Sequence, residues 1–567
     1  MPSNRIVVIG GVACGPKAAS RARRRDPDAE ITLLEKGSLI SYAGCGMPYY
    51  VEGLVEDRDH LMQTPAGARR DAAFFRAVKD IAVLTRTLAT RVDRGAHVVH
   101  ARNLDTGEEL VAPYDKLVLA TGGMPLVPRM EGTELSGVYR LYHPDEAAAV
   151  RETLMSGAVK NAVIVGGGLI GMEMAEALST HGVSITVVEM MDHLLPALLD
   201  HEPAAFLTKH LKVNDVNVVT GTKVTALLAD DVGHVRAVQT DAGELPAEFV
   251  LLSIGVRPNV ELARECGLAL GETGALAVND RLQTSDPDIY AGGDCVECTH
   301  LITGRKCFVP LGSTANKHGR IIGDNVTGGD ATFRGIVGTT VFKTYDFNVA
   351  RTGLSEAQAR KEGYEVITAL SPAPDRAHYM PGNQPILTKL VAEAGSGRLL
   401  GAQVVGPGEA VKRIDVMAVA LTMGATVEDL ADFDLGYAPP YAPAVDNLAT
   451  AANIIRNKRD GLATTLTPAE VKAKLDSGAE FVWLDVRSPA EVKEMQFDDA
   501  RVVHIPLGKL RDRAGELPKD KEIVAYCKIS LRGYEAQRTL DGLGFPNVCF
   551  LDGGIVGWPY GGVVKGE

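Results

Sequence analysis

The sequence predicts an α/β protein made of several separate cores. At 567 residues the chain exceeds what one hydrophobic core usually supports, which favours three or four domains. Its 60 glycines and its low aromatic content of 5% are typical of alternating strands and helices joined by tight turns. Two glycine-rich strand–turn–helix segments begin near residues 5 and 162, and each is followed by a strand that ends in glutamate. Together these observations predict two nucleotide-binding α/β folds followed by further domains.

Charge and composition exclude several classes of protein. The 59 Lys and Arg against 72 Asp and Glu leave a net charge of −13, which disfavours nucleic acid as a partner. No stretch approaches the roughly 20 apolar residues of a membrane span, and the first residues lead directly into a strand without a basic signal-peptide region. The eight cysteines are scattered, so reduced thiols in the cytoplasm are expected.

The first glycine-rich turn lies in residues 5–25. Gly10 permits a tight turn, Gly15 lets the helix pack close to the strand, and the free N–H groups of the helix suit a pyrophosphate. Glu35 follows 25 positions after Gly10, where an acid accepts bonds from ribose hydroxyls. Gly11 and Ala13 are further predicted contacts of this turn, while Val12 occupies the place of the usual middle glycine.

The second glycine-rich turn has the complete G-x-G-x-x-G spacing. Gly166, Gly168 and Gly171 lie between a predicted strand and a predicted helix, about 156 residues after the first turn. The next strand ends at Glu189, which suits the free 2′-hydroxyl of NADH and leaves NADPH open. One such pattern is a weak signal, but two copies with the same following strand and acid predict two dinucleotide sites.

Two further segments resemble motifs of the pyridine nucleotide–disulfide oxidoreductases, a family with two dinucleotide-binding folds. The segment 117-LVLATGGMP-125 is similar to its ATG motif, and 284-TSDPDIYAGGDC-295 is similar to its GD motif. The resemblance covers roughly residues 1–450 and implies FAD on the first fold and NAD(P)H on the second. It also implies that Asp294 bonds the ribityl chain of the flavin. The remaining predicted FAD contacts are Ala120, Thr121 and Gly122.

The segment 41-SYAGCGMPYY-50 contains one cysteine, Cys45, with tyrosines at the positions where dithiol relatives have a second thiol. It resembles the S-F-x-x-C motif of coenzyme A disulfide reductases, in which a single cysteine is redox-active. One cysteine can carry two electrons when its oxidised form is a mixed disulfide, a persulfide or a sulfenic acid. Such chemistry requires a thiolate, whose formation a helix N-terminus or hydroxyl donors would favour.

The same resemblance implies a substrate site for coenzyme A at a dimer interface. Arginine on the first helix and an N-x-x-x-R pair on a later helix bind CoA in these reductases. Tyrosines from the partner subunit reach the substrate sulfur there, and their phenols would stabilise a departing thiolate. Strand patterns over 336–355 and 386–406 match the dimerisation domain of the family. The residues that match these roles are Arg24, Ser41, Asn316, Arg320, Tyr379 and Tyr437.

After residue 465 the pattern of strands and helices begins again. Cys527 opens a six-residue loop, CKISLR, which lies between a predicted strand and a predicted helix and ends at Arg532. Inward-pointing N–H groups and the helix dipole would favour a thiolate or persulfide there. The segment resembles a rhodanese domain, which implies that Cys527 carries sulfane sulfur. The other matching residues are Asp485, Arg487, Glu491 and His504.

The predicted domain organisation follows from these motifs. Cys295 and Cys298 form a C-x-x-C, but no second pair has metal-ligand spacing, so no metal site is predicted. The fold class is α/β, with two Rossmann-like domains for FAD and NAD(P), an α+β dimerisation domain and a C-terminal α/β rhodanese domain. The predicted ranges are 1–150 with 276–330 for FAD, 151–275 for NAD(P)H, 331–450 for dimerisation, 451–465 as a linker and 466–567 for the rhodanese domain.

The functional hypothesis is a cytoplasmic, homodimeric flavoenzyme that uses NADH to reduce CoA persulfide, polysulfide or another small persulfide. The rhodanese cysteine would carry sulfane sulfur, since a sulfur carrier has little use beside a peroxide reductase. Three alternatives remain open at this point: a CoA disulfide reductase of the thiol pool, an NADH oxidase or peroxidase, and a sulfur-delivery or sulfur-sensing module.

Overall fold

The computed structural model describes residues 4–566, and the chain divides into two compact units. The first unit comprises Met1–Met190 and Gly221–Ile336, and the second comprises Met191–Thr220 and Val337–Glu567. Each unit contains two principal sheets. This division interrupts the second nucleotide-binding region, because residues 191–220 belong to the second unit.

The first parallel sheet of the first unit begins with the N-terminal strand. Its apolar strands are buried on both faces, as parallel strands covered by helices usually are. The buried cores on its two faces contain Val8 and Leu33 on one side and Val7 and Leu117 on the other. In spatial order the strands are Ile289–Ala291, Lys116–Leu119, Arg5–Ile9, Glu30–Leu34 and Ala82–Leu84.

The second parallel sheet of this unit repeats the arrangement. Its strands are Ser184–Val188, Asn161–Val165, Phe249–Leu252 and Val138–Tyr139. Antiparallel strands flank the two sheets: Thr87–Asp93, Val98–Asn103 and Glu109–Pro113; Val224–Ala229, Val235–Thr240 and Gly243–Pro246; Gly123–Pro125 with Val256–Pro258; Cys298–Thr299 with Lys306–Cys307.

The helices of the first unit cover these sheets. Small residues bring two of them close together, because a side chain on Gly319 would lie 2.5 Å from the carbonyl oxygen of Cys14. This contact packs the helix Gly312–Asn325 against the helix Cys14–Arg25. The other helices are Met47–Glu52, Ala72–Lys79, Pro144–Met155, Leu169–Ser179 and Glu261–Glu265.

The second unit contains an antiparallel sheet and a parallel sheet. The antiparallel sheet has the order Thr340–Thr344, Phe347–Gly353, Leu399–Gly406, Pro385–Glu393 and Val366–Pro374. Its helices are Glu356–Lys361, Val411–Met423, Val427–Asp432 and Asn447–Arg459. Residues 191–220 add the helix His201–Val213 and the strand Asn217–Val219.

The parallel sheet of the second unit lies in the C-terminal part. Its strands are Thr465–Leu466, Val548–Leu551, Ile523–Tyr526, Val482–Asp485 and Val502–His504. Buried clusters cover both faces, one around Leu484 and Phe550 and the other around Trp483 and Leu551. The remaining elements are the helices Pro468–Asp476, Pro489–Glu494, Leu507–Arg513 and Leu531–Gly542, and the strand pair Gln496–Phe497 with Val563–Val564.

The segment 451–465, predicted as a linker, is mostly helical. The helix Asn447–Arg459 begins where the Asp446 side chain accepts from the Leu448 N–H, and it buries Ile455. Arg456, Lys458 and Arg459 lie in its last turn, where cations interact favourably with the helix dipole. Only residues 460–464 separate this helix from the next strand.

The fold confirms the predicted α/β class. Two parallel sheets with helices in the first unit correspond to the two nucleotide-binding turns, and the second unit adds the α+β and the C-terminal α/β parts. Within residues 4–566, no helix combines the length and the apolar character needed to cross a bilayer.

Candidate active site

The first glycine-rich turn joins three segments of the first unit. Gly10 has a φ of 110°, and a β-carbon there would lie 2.1 Å from the carbonyl oxygen of Ala120. A β-carbon on Gly15 would lie 1.9 Å from the carbonyl oxygen of Gly10. The Glu35 carboxylate accepts from the N–H groups of Gly11 and Gly37, each at 2.7 Å. Only glycine therefore permits this close approach of strand, helix and ATG segment.

The second turn repeats these contacts residue by residue. A β-carbon on Gly166 would lie 2.4 Å from the carbonyl oxygen of Ser253, and one on Gly171 would lie 2.4 Å from that of Gly166. The Glu189 carboxylate accepts from the Gly167 N–H at 2.8 Å, as Glu35 does in the first turn. The chain thus contains the same strand–turn–helix motif twice.

Both turns fit a dinucleotide. The helices that follow begin at Cys14 and Leu169, and neither has a side chain capping its N-terminal N–H groups. A β-carbon on Gly168 would meet no protein atom closer than the carbonyl oxygen of Ser253 at 3.9 Å. Packing within the protein does not explain this glycine, whereas the approach of a pyrophosphate to the backbone does.

Asp294 lies after the left-handed turn at Gly293, at the end of the strand Ile289–Ala291. Burial raises the pKa of its carboxyl group. Nearby, the Thr121 hydroxyl donates to the carbonyl oxygen of Asn259 at 2.6 Å, and Gly122 has a positive φ of 73°. A half-buried carboxyl group in this position suits a polyol chain, because hydroxyl donors would satisfy its oxygens.

Cys45 lies in the short turn Gly44–Gly46, directly before the helix Met47–Glu52. Its side chain is exposed, unlike those of the other seven cysteines, which are buried or half-buried. Ser41 connects this segment to the first turn, since its N–H donates to the carbonyl oxygen of Gly11 at 2.7 Å. A β-carbon placed on Gly312 would lie 4.0 Å from the Cys45 sulfur, so the helix Gly312–Asn325 begins beside the thiol.

The protein around Cys45 does not favour its thiolate. Although the side chain is exposed, partial desolvation raises the pKa of the Cys45 thiol, and the carboxylates of Glu173 and Asp294 raise it further. The lowered pKa that thiolate chemistry requires is therefore not provided by these residues of the first unit. The helix after Cys45 has only six residues, which limits the contribution of its dipole.

Glu173 is a candidate acid–base residue that the sequence motifs did not indicate. It lies on the helix Leu169–Ser179, and burial together with Glu176 raises the pKa of its carboxyl group to about 7. Carboxyl groups whose pKa is raised, and which lie near a nucleophile, are typical of sites of acid–base catalysis. No local pattern could have identified it, because Glu173 and Cys45 are 128 positions apart in the sequence.

Apart from Ser41, the predicted CoA-binding residues lie on the two packed helices of the first unit. Arg24, Asn316 and Arg320 are all exposed. Arg21 pairs with Asp324 at 2.6 Å, whereas neither Arg24 nor Arg320 forms an ion pair with any described residue. The two guanidinium groups are therefore available for an anionic ligand such as a phosphate.

The two predicted tyrosines lie together in the second unit. Desolvation and the neighbouring Tyr437 phenol raise the pKa of Tyr379, and both side chains are more than half exposed. Tyr437 also lines a cavity of about 630 Å³ together with Arg376, Lys412 and Tyr441. Exposed phenols beside two cations can donate to an anion.

Cys527 follows the strand Ile523–Tyr526 and is fully buried, with an exposed fraction of 0%. The loop after Cys527 is hydrogen-bonded to a later segment of the chain, since the Ser530 hydroxyl accepts from the Gly553 N–H at 2.7 Å. The carbonyl oxygen of Cys527 accepts from the Ile555 N–H at 2.9 Å. The helix Leu531–Gly542 then begins with no side-chain cap, so its first N–H groups face the loop.

Arg532 brings a positive charge to Cys527. Its guanidinium group forms two hydrogen bonds to Glu491, at 2.7 and 2.6 Å, and its interaction with Cys527 also raises the pKa of Arg532. The Arg532 pair holds the pKa of Glu491 at about 2. Asp485, which lies opposite Tyr526 in the parallel sheet, forms a second, fully buried ion pair with Arg487 at 2.7 Å. The structure thus links Arg532 to Glu491 and Arg487 to Asp485, and His504 forms a hydrogen bond with the carbonyl oxygen of Arg487.

The two thiols of the C-x-x-C are enclosed by the protein. Cys295 and Cys298 are both buried, and burial raises the pKa of each thiol. Among residues 4–566, no group of three or more His, Cys, Asp or Glu side chains is arranged to hold a metal ion.

Three family profiles match successive parts of the chain. The sequence profile of the pyridine nucleotide-disulphide oxidoreductase family matches residues 4–319, that of its dimerisation domain matches 339–449, and that of the rhodanese-like domain matches 467–559. The chain is 39% identical over 452 residues to the NAD(P)H coenzyme A polysulfide/persulfide reductase of Pyrococcus horikoshii, covering 80% of this chain and 98% of that protein.

Two solved structures are similar along nearly the whole chain. One is a NAD-dependent persulfide reductase from A. fulgidus, with a TM-score of 0.93, 46% identity and coverage of 98% of this chain and 100% of the other. The second is the reduced CoADR-RHD of Bacillus anthracis, with a TM-score of 0.91, 34% identity and coverage of 98% of each chain.

The two repeated turns, the Asp294 segment and these matches agree on one class of protein. It is an oxidoreductase whose cofactors are FAD and NAD(P)H. The chain belongs to the pyridine nucleotide-disulphide oxidoreductase family and carries the dimerisation domain of that family and a C-terminal rhodanese-like domain.

Proposed function

We propose that this protein uses NADH to reduce CoA persulfide, CoA polysulfide or another small persulfide to a thiol and hydrosulfide. The observation that carries the proposal is Cys45, an exposed thiol with no second cysteine in its segment, beside the start of the helix that bears Asn316 and Arg320. The persulfide reductases among its relatives support the choice of substrate.

The proposed chemistry at Cys45 uses one thiol. Its thiolate attacks the CoA-bound sulfur of CoA–S–SH, forming a Cys45–S–S–CoA mixed disulfide and releasing hydrosulfide. Reduction of this mixed disulfide by two electrons, together with one proton, regenerates the Cys45 thiolate and releases the CoA thiol. Bound FAD supplies two-electron transfer from NADH to a sulfur–sulfur bond. Glu173, with its pKa of about 7, is the proposed proton donor to the departing sulfur.

The proposed cofactor contacts follow the two turns. The backbone of the first turn and the Asp294 carboxyl group would hold FAD, and the second turn would hold NADH, with Glu189 on its ribose. The residues proposed for FAD are Gly10, Gly11, Ala13, Gly15, Glu35, Ala120, Thr121, Gly122 and Asp294. The residues proposed for NADH are Gly166, Gly168, Gly171 and Glu189.

The proposed CoA site uses exposed residues of the two packed helices. Arg24 and Arg320, which form no ion pair within the described residues, would bind phosphates, while Asn316 would donate to polar atoms of the pantetheine arm. Ser41 would contact the substrate next to Cys45. Tyr379 and Tyr437 would donate to the departing sulfur from the partner subunit of a homodimer.

Cys527 is the proposed carrier of sulfane sulfur. Its thiolate would take a sulfur atom from a polysulfide, become a persulfide and transfer that atom to CoA. The Arg532 guanidinium and the N–H groups of the helix Leu531–Gly542 would stabilise the anionic sulfur. We propose the domain ranges given by the sequence motifs, with the linker reduced to 460–464, and the cytoplasm as the location.

The test compares NADH oxidation by full-length, FAD-loaded variants on CoA persulfide, CoA disulfide and oxygen. Cys45→Ser should lower turnover on CoA persulfide by on the order of 10³-fold, as expected when a nucleophile is removed. Cys527→Ser should retain turnover on CoA persulfide but lose it on inorganic polysulfide supplied with catalytic CoA. Cys266→Ser, at a half-buried cysteine in neither site, is the matched control and should behave as wild type.

Other outcomes would favour the alternatives. Wild-type turnover of Cys45→Ser on persulfide would refute the single-thiol mechanism. A preference of the native enzyme for CoA disulfide would indicate a reductase of the thiol pool, and rapid NADH use with oxygen alone would indicate an oxidase. Equal polysulfide rates of Cys527→Ser and wild type would remove the carrier role.

A further inference from the structure

A second pair of thiols lies outside both cysteine sites already described. Cys298 and Cys307 are directly opposite each other in the short antiparallel pair formed by Cys298–Thr299 and Lys306–Cys307. Directly opposed residues of antiparallel strands project to the same face, with β-carbons about 4.5–5.5 Å apart. The C-x-x-C spacing pairs Cys298 with Cys295, but the residue opposite Cys298 in the strand pair is Cys307, nine positions away in sequence.

The spacing of this pair suits a disulfide. Opposed residues have α-carbons about 4.5–5.5 Å apart, within the range of about 4.4–6.8 Å that disulfides need. The Cys307 sulfur also lies 3.6 Å from the carbonyl oxygen of Cys298. Because the ladder is only two residues long in each strand, a small approach of the β-carbons would disturb few hydrogen bonds.

His318 orients one of these thiols. Its ring is fully buried, and burial lowers its pKa to about 4, so it is neutral. The Nδ1 atom accepts from the Gly293 N–H at 3.2 Å, which leaves the proton on Nε2. Nε2 lies 3.9 Å from the Cys298 sulfur and donates towards it. The Cys298 sulfur therefore has a fixed donor on one side and Cys307 across the strand pair.

The pair lies between two parts of the proposed active site. Cys298 follows Asp294 by four positions, and Cys307 precedes Gly312 by five. Gly312 is the residue whose missing β-carbon would lie 4.0 Å from the Cys45 sulfur. A covalent link between the two strands would thus fix the segment that leads into the helix beside Cys45.

We propose that Cys298 and Cys307 form a reversible disulfide, with sulfane sulfur as the oxidant. The Cys307 thiolate attacks the sulfane sulfur of R–S–SH and releases R–S⁻, which leaves a persulfide on Cys307. Cys298 then attacks the inner sulfur and releases hydrosulfide. Overall, two thiols and R–S–SH give one disulfide, R–SH and H₂S, so the two electrons pass to the sulfane sulfur. Only the choice of oxidant rests on the proposed function.

Cys307 is the first nucleophile for two reasons. It is half-buried, whereas Cys298 is buried. Burial raises the pKa of both thiols, to about 11 for Cys307 and to about 12 for Cys298. The more accessible and more acidic thiol meets the oxidant, and the orienting histidine keeps the second sulfur in place for the closing step.

The experiment treats the full-length, FAD-loaded protein with inorganic polysulfide and, separately, with diamide. Free thiols are then alkylated, the protein is digested without reductant and the peptides are measured by mass spectrometry. We expect a linked peptide pair that joins Cys298 to Cys307 and disappears with dithiothreitol. In Cys298→Ser the closing step is blocked, so polysulfide should leave one extra sulfur on Cys307. Cys266→Ser is the matched control and should form the link as wild type does.

The outcomes separate this proposal from the proposed function. A link with neither reagent would overturn the disulfide, and a link with diamide but none with polysulfide would overturn sulfane sulfur as its oxidant. Both results are independent of the turnover of Cys45→Ser on CoA persulfide, which decides the function proposed above.

Discussion

Cys45 and Cys527 are two thiols in opposite electrostatic surroundings. Cys45 is exposed, and the nearby carboxylates of Glu173 and Asp294 raise its pKa. Cys527 is fully buried, yet it lies near the Arg532 guanidinium, whose pKa its interaction raises. The accessible thiol therefore faces negative charge, and the enclosed thiol faces positive charge.

This contrast suggests different tasks for the two sulfurs. Positive charge and helix N–H groups stabilise an anionic sulfur, as a stored persulfide requires. Carboxylates beside Cys45 favour its neutral states, and an acid with a shifted pKa can supply the proton that a departing thiolate needs. Cys527 is thus suited to hold sulfur, whereas Cys45 is suited to turnover.

The largest expected effect concerns the support of the Cys527 loop. Lys458 binds Asp552 at 2.7 Å with both side chains nearly buried, and Asp552 precedes Gly553, whose N–H donates to Ser530 in that loop. Lys458→Met leaves the Asp552 carboxylate buried without its cation, which costs about 3–5 kcal/mol. Hydrogen exchange by mass spectrometry should show much faster exchange over 548–556, while the first unit stays unchanged.

The matched control is Lys472→Met, because Lys472 pairs with Asp476 at the surface of a neighbouring helix. Exposed pairs contribute about 1 kcal/mol or less, so exchange over 548–556 should change little. Equal exchange in the two variants would show that the Lys458 pair does not support the loop.

The next effect concerns the charge at Cys527. Arg532→Ala removes the cation that would donate to an anionic persulfide on Cys527. Hydrogen bonds to charged groups are worth about 1.5–3 kcal/mol, so loading of sulfur onto Cys527 from polysulfide should fall at least tenfold. Arg538→Ala is the control, since Arg538 lies on the same helix and pairs with Asp541 at 3.0 Å. Labelling of the persulfide followed by mass spectrometry measures the loading, and equal loading in both variants would contradict the role of Arg532.

A smaller effect is expected at Cys45. Glu173→Gln removes a negative charge that raises the pKa of this thiol, so more thiolate should be present at neutral pH. Alkylation of Cys45 by iodoacetamide should become several-fold faster, because one pKa unit changes the thiolate fraction up to about tenfold. Cys527 in the same sample is the internal control, and an unchanged rate at Cys45 would argue against the influence of Glu173.

The smallest expected effect is a change near pH 7 in how the alkylation rate depends on pH, at Cys45 but not at Cys527. The pKa of Glu173 is raised to about 7, so this carboxyl group is neutral below that pH and ionised above it. Its ionisation should raise the pKa of Cys45 and make the rise of the alkylation rate with pH shallower near pH 7. Glu491, with its pKa lowered to about 2, stays ionised from pH 5 to 8, so Cys527 should show no such step. The step should vanish in Glu173→Gln.

The sequence predicted the sites that consist of local patterns. Gly166, Gly168 and Gly171 are close together in the chain, and their spacing alone indicated a strand, a turn and a helix. Cys527 and Arg532 likewise share one loop. The linker predicted at 451–465 overlaps the helix Asn447–Arg459, because a helix with a basic last turn resembles a polar loop when burial is unknown.

The sequence alone determined the α/β class, the two dinucleotide turns and the two candidate thiols, because each depends on residues within about one strand–turn–helix unit. Only the tertiary structure showed that Glu173 raises the pKa of Cys45, that Lys458 pairs with Asp552 and that Cys298 faces Cys307. The physical reason is that charge, burial and cross-strand register depend on which distant segments pack together, and no local pattern encodes those distances.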